Sequence, residues 1–150
     1  MLAVLLSAGT VLAAETAVRT RINRAPGNAF PHKLTRRIQI RRAYNRGLVG
    51  SRLENHPKLA TAVQTAAMLV AFGTAAIVHA NAPRLPLCGE IGVGLLAGGA
   101  IANTAERYVK GHVTDYIHVA DSRVPLLRKR IWNLADAAIF NGAVLLLVSA

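Results

Sequence analysis

Four of the seven carboxylic acids in this 150-residue chain stand where apolar sequence meets polar sequence. Glu15 lies near the end of an apolar N-terminal run. Glu106 follows a later run, Asp115 sits in the polar stretch after it, and Asp136 lies inside the run that closes the chain. Two carboxylates in a partly apolar cleft cannot easily ionise together, so they share a proton. The ionised member can then take a proton from water while the protonated member gives one to a carbonyl. That is aspartic-type amide hydrolysis, and it needs neither metal nor cofactor. Amides accompany the acids: Asn133 is three residues before Asp136 and on the same helical face, and Asn103 is one turn before Glu106, with Arg107 beside it. A charged Asp at a membrane-helix centre costs about 2.5–3.5 kcal/mol, which is why such acids usually mark function. The other reading is a hydrogen bond that holds helices together. Residue type alone leaves both open for the Asn133–Asp136 patch.

The elements that must position these groups are apolar blocks. Leu2–Val18, Leu59–Ala82, Leu85–Ala105 and Ile131–Ala150 each approach the ~20 residues that cross a hydrocarbon core. They predict an integral membrane protein, mainly α, with four transmembrane helices in one domain, residues 1–150. The helices fall at about 2–18, 59–82, 85–105 and 131–150, and surface loops occupy 19–58 and 106–130. The N-terminal run lacks the preceding basic residues of a signal peptide and is expected to stay as a helix. Arg36–Asn45 alternates like a strand, Asn45–Gly47 suits a tight turn, and together they predict a small sheet at the membrane surface. "HANAPRLP" (His79–Pro86) reads as a short loop between antiparallel helices. Gly94, Gly98 and Ala102 recur every four residues, a spacing that lets membrane helices approach closely.

Charge narrows the partners. The chain holds 18 Lys and Arg against 7 Asp and Glu, a net charge of +11. These bases lie in loops beside apolar spans, which favours anionic phospholipid headgroups over nucleic acid. The single cysteine, Cys88, excludes an intrachain disulfide. His112 and His118 flank Asp115 without a metal-ligand spacing. Tyr108, Tyr116 and Trp132 read as residues of the membrane interface, with Trp132 able to line a site beside Asn133.

Gly98–Val119, "GGAIANTAERYVKGHVTDYIHV", and Trp132–Ile139, "WNLADAAI", resemble the signal peptidase II family. The third-helix motif of that family is met by Gly98, Gly99, Ala100, Asn103, Arg107, Gly111, Val113, Asp115 and Ile117. Its last-helix motif is met by Asn133, Ala135, Asp136 and Ile139, with Trp132 for Phe. Glu15 and Arg19 resemble an Asp and Lys after the first helix, and "YNRG" (Tyr44–Gly47) resembles an N-x-G segment. Glu106 and Glu15 replace aspartates, and Ala102 replaces a glycine.

The resemblance implies an intramembrane aspartyl endopeptidase that removes the signal peptide from prolipoproteins, cutting before a diacylglyceryl-modified cysteine. It implies four helices, a small extracytoplasmic β-cradle and a short surface helix. Asp115 and Asp136 become the catalytic dyad. Asn45, Gly47, Asn103, Glu106, Arg107, Asn133 and Glu15 become substrate-binding or supporting positions. A monomer in the bacterial cytoplasmic membrane follows, multi-pass, with its site toward the extracytoplasmic face. That topology sets both basic loops outside, whereas the positive-inside rule would hold them in the cytoplasm. A catalytically silent relative that binds lipidated peptides is the second reading. A small ion transporter or channel subunit is the third, and it leaves the two motifs without a purpose.

Overall fold

The computed structural model describes residues 1–48, 53–81 and 85–149, with backbone alone for 74, 75 and 78–81. The first helix, α1, is Leu2–Arg24. It continues past Val18 because nothing breaks it before Pro26. That proline pushes Ala25 into an extended conformation (φ −66°, ψ 144°). Arg42 Nη1 then donates to the Ala25 and Ile22 carbonyls at 2.7 and 3.3 Å, satisfying the helix end. A hairpin follows: β1 is His32–Lys33 and β2 is Ile38–Asn45. Helix α2 is Pro57–Asn81 and α3 is Leu87–Lys110. Helix α2 runs through His79–Asn81, the first part of the stretch expected as a short connection, while residues 82–84, with Arg84, lie outside the described residues.

Helix α3 runs on beyond Ala105, which brings Glu106 and Arg107 onto its last turns instead of into a loop. It stops at Gly111, whose φ of +73° is the left-handed C′ conformation that glycine adopts without strain. Strand β3 is Val113–Val119, α4 is Pro125–Lys129, β4 is Ile131–Trp132 and α5 is Leu134–Ser149. The four strands form one antiparallel sheet in the order β1-β2-β3-β4.

The closing helix begins at Leu134 and not at Ile131. Ile131 and Trp132 pair instead with His118 and Ile117 at the edge of the sheet. Asn133 and Asp136 then close a reciprocal cap. Asn133 Oδ1 accepts the Asp136 N–H at 2.8 Å, and Asp136 Oδ2 accepts the Asn133 N–H at 3.2 Å. This is the capping-box geometry with Asn and Asp in its two positions. Asp136 therefore sits in the first turn of α5 and not in the interior of the closing apolar helix.

Helix α3 is central and carries two close-packing faces. A Cβ on Gly98 would come 2.8 Å from Ala8 O and 2.9 Å from Val11 Cβ on α1, and one on Gly94 would collide with Ser7. On a second face, about a quarter turn or more away, a Cβ on Gly99 would come 2.8 Å from Ile139 Cγ1 and would also strike Ala135 O on α5. The Gly94–Gly98–Ala102 stripe thus meets α1, and Gly92 with Gly99 forms a second stripe against α5.

Burial is inverted relative to a water-soluble fold. Leu5, Leu69, Phe140 and Leu147 are 60–79% exposed, whereas the largest fully buried side chains are Glu15, Asn133 and Thr114. Among the described residues α1 and α3 are long and apolar enough to cross a membrane, and α5 is a shorter apolar helix of 16 residues.

Candidate active site

The polar groups converge where the last turns of α1 and α3 meet β3 and the start of α5. Asp115 is 6% exposed and is carried on β3. Its Oδ1 accepts from Asn133 Nδ2 at 2.7 Å and its Oδ2 from Asn45 Nδ2 at 3.3 Å. Asp136 Oδ1 accepts from Asn103 Nδ2 at 2.9 Å. Asn133 therefore donates to both carboxylates, through its side chain to Asp115 and its backbone to Asp136. Burial first, and then the Asp136 carboxylate, push Asp115 up from 3.8 to about 7. A carboxyl poised there can both take up and release a proton near neutral pH.

Asn103 has its orientation fixed by Arg19. The guanidinium, which can only donate, gives Nη2 to Asn103 Oδ1 at 2.6 Å and Nη1 to Ala102 O at 3.0 Å. The amide nitrogen of Asn103 is thereby turned to Asp136. Arg19 Nε also lies 2.6 Å from Glu15 Oε1 and 3.0 Å from Glu106 Oε2. The Glu15 approach is a charge contact and not an aligned hydrogen bond. The three groups are buried together and compensate one another's charge, the condition under which such groups are tolerated inside.

Glu15 caps a helix that is not its own. Its Oε2 accepts from the Tyr116 hydroxyl at 2.9 Å and from the Ala135 N–H at 3.1 Å, while Leu134 N–H donates to the Tyr116 oxygen at 3.1 Å. With Asn133 on the Asp136 N–H, the free amides of the first turn of α5 are occupied. A carboxylate at that end also complements the helix dipole. Burial, reinforced by the Glu15 charge, raises the Tyr116 phenol and keeps its proton in place as donor.

Glu106 spans to the start of β3. Its Oε2 accepts the Thr114 N–H at 2.9 Å, and its Oε1 accepts the Thr114 hydroxyl at 2.8 Å and Lys110 Nζ at 2.9 Å. It thus fixes the residue next to Asp115. Arg107 does not pair with Glu106: it donates Nε to Gln64 Oε1 and Nη1 to Arg46 O, both at 2.9 Å. It holds α2 and the Asn45–Gly47 turn to α3. Gly47 donates its N–H to Asn45 Oδ1 at 3.0 Å, which leaves the Asn45 amide nitrogen for Asp115.

All nine sequence-derived positions therefore belong to one region, with Arg107 and Gly47 acting through the Asn45 turn. Arg19, Thr114 and Tyr116 complete it. The i,i+4 spacing of Glu15 and Arg19 is the signal that finds the first. Tyr116, expected at the membrane interface, is instead 3% exposed and bonded to Glu15, because it faces the bundle from β3. His112 packs against Tyr44 with ring centroids 4.5 Å apart, and His118 contacts Arg128 O at 3.0 Å, so neither histidine joins the carboxylates. Trp132 lies beside Asn133 with its buried indole nitrogen unpartnered.

Comparison with known proteins extends across the chain. A family model described as "Signal peptidase (SPase) II" matches residues 8–150. The "Lipoprotein signal peptidase" of Caulobacter vibrioides is 31% identical over 131 residues, which cover 86% of this chain and 72% of that protein. The protein of the same name from Mesorhizobium japonicum is 34% identical, the match covering 72% of this chain and 61% of that protein. A third, from Nostoc punctiforme, is 40% identical over 68 residues, covering 45% of this chain but only 40% of its own length. A solved structure titled "Bacterial membrane enzyme structure by the in meso method at 2.3 A resolution" superposes with a TM-score of 0.78. It is 19% identical, and the overlap covers 97% of this chain and 85% of that one. The fold is thus that of a bacterial membrane enzyme. With the two motifs assembled around Asn133 and the family match running nearly end to end, the chain belongs to the signal peptidase II family.

Proposed function

We propose that this protein is an intramembrane aspartyl endopeptidase that cuts prolipoproteins immediately before a diacylglyceryl-modified cysteine. The observation that carries the reading is Asn133, whose two N–H groups reach Asp115 and Asp136 at 2.7 and 3.2 Å and so hold both carboxylates in one site. Asp115 keeps the shared proton. Asp136 takes a proton from water as the water oxygen attacks the scissile carbonyl carbon, and Asp115 protonates the carbonyl oxygen. The tetrahedral species then collapses: Asp136 gives its proton to the departing amide nitrogen, and Asp115 recovers one from the hydroxyl. Asn45, Asn103 and Asn133 orient the carboxylates; Glu15, Glu106, Arg107 and Gly47 support them. The residues act without a metal.

In this reading residues 1–150 are one domain in which α1, α2, α3 and the shorter α5 all cross the bacterial cytoplasmic membrane, with the site toward the extracytoplasmic face. The substrate's acyl chains lie in the bilayer, which removes much of the entropic cost of positioning the peptide. A single protomer contains every residue the reaction needs. The test is purified protein in proteoliposomes given a synthetic diacylglyceryl-cysteine prolipoprotein peptide, with products identified by mass. The expected products are a free signal peptide and a peptide beginning with the lipidated cysteine. Binding without cleavage, or equal cleavage of the unlipidated peptide, would overturn the assignment.

A further inference from the structure

The sheet has two ends of opposite character. Asn45, paired with Val113, and Asp115 belong to the end that meets the helices. The other end lies four residues farther along β3, at Ile38 paired with Val119, about 13 Å away at strand spacing. Two segments are fastened to it. The β1–β2 tip is closed by Leu34 and Thr35 N–H groups donating to Ile38 O at 3.0 and 3.1 Å. It is joined to the segment after β3 by Ala120 N–H donating to Arg37 O at 2.8 Å. Helix α4 is drawn back to the same strand by the contact between His118 and Arg128 O.

This far end presents apolar and basic side chains together. Leu34, Val124, Leu126 and Leu127 are 58, 51, 48 and 37% exposed. Arg36, Arg37, Arg123, Arg128 and Lys129 are exposed among them, and Asp121 is the one acid in residues 34–37 and 120–130. Exposed leucines beside bases at one sheet end would be a liability in water. At a membrane surface they match the solvent, with leucines in the acyl boundary and bases at the phosphates. Helices α1 and α3, long and apolar enough to span, hold the sheet within reach of that surface.

We propose that the far end of the sheet is a docking surface for anionic phospholipid headgroups. The phosphates bind Arg36, Arg37, Arg123, Arg128 and Lys129, and Leu34, Leu126 and Leu127 enter the acyl boundary. Docking there ties down the far end of the strand that carries Asp115. Each base near an anionic surface contributes roughly a fivefold preference for it.

The test needs no catalysis and so stands apart from the proposed activity. A nitroxide is attached at Leu126→Cys in a Cys88→Ala background, and the protein is placed in vesicles of phosphatidylcholine alone or rich in phosphatidylglycerol. Relaxation by oxygen against a water-soluble nickel chelate reports whether the label is in lipid. Lipid-like accessibility is expected in phosphatidylglycerol, with a shift toward water in phosphatidylcholine and after replacement of the five bases by Gln. A label that reads as aqueous in phosphatidylglycerol overturns the proposal. So does one that reads as lipid regardless of vesicle charge and of the five bases, since docking would then be apolar only.

Discussion

Asn133 serves two purposes, and one substitution separates them. Its Oδ1 caps α5 and its Nδ2 bonds Asp115. Serine is also a good N-cap but lacks the amide. Asn133→Ser keeps the cap but leaves the buried Asp115 oxygen without its amide donor, so it should cost about 1–3 kcal/mol of stability while lowering kcat about 100-fold through loss of carboxylate positioning. Thermal unfolding and turnover of the lipidated peptide, measured together, check this. Arg19 separates charge from geometry in the same way. Lysine keeps the charge, but one ammonium cannot reproduce the fork on Ala102 O, Asn103 and the two glutamates. Arg19→Lys should lower kcat about 10- to 100-fold with KM nearly unchanged, because the damage lies in orienting Asn103 and not in binding peptide. Parallel losses in kcat and in folded yield would mean that Arg19 is only structural.

At the scale of elements, the α3–α5 contact sets where Asp136 stands. Gly99→Ala would drive a methyl against Ala135 and Ile139, one residue before and three after Asp136. A loss of about 1–3 kcal/mol is expected from such overpacking, together with a fall in activity. Gly9 and Gly73 lie in helices where an added methyl would meet no atom within 4 Å. Their replacement by Ala should be neutral or stabilising by about 0.5–1 kcal/mol. Turnover and melting of the three variants side by side test whether close approach, and not glycine content, is what α3 supplies. The apolar blocks were legible because helices in lipid must satisfy their backbone internally and carry apolar side chains outward. The edges were less legible. Ile131–Trp132 reads as helix by hydropathy, and only pairing with β3, a long-range contact, makes it strand. The Asn133–x–x–Asp136 cap was a local start signal hidden inside an apolar run. Glu15 on the amides of α5 could not be read from either segment alone, because it joins residues 120 apart in sequence.

For the whole molecule, the perturbed Asp115 links pH to both stability and rate. Its folded-state pKa of about 7 is above the ordinary 3.8. The folded state therefore holds a proton that the unfolded state releases between those values. This contribution to stability is full below about pH 4 and is lost as pH rises through about 7. Asp115→Asn should flatten the fall in melting temperature over that window, as scanning calorimetry at several pH values would show. Activity should have an alkaline limb near pH 7, where the pair loses its shared proton. The site's burial also explains how a chain of net charge +11 keeps four acids in one layer. Glu15 and Glu106 are offset by Arg19 and Lys110, and the aspartates by a proton and three amides.

The most direct measurement is turnover of the lipidated prolipoprotein peptide by wild type, Asp115→Asn, Asp136→Asn and the double variant in one series. If the two carboxylates are one acid–base unit, each single change lowers kcat about 10²- to 10⁴-fold, and the double change costs little more than either alone. Activity within tenfold of wild type in either single variant would contradict the account, as would losses that simply multiply in the double.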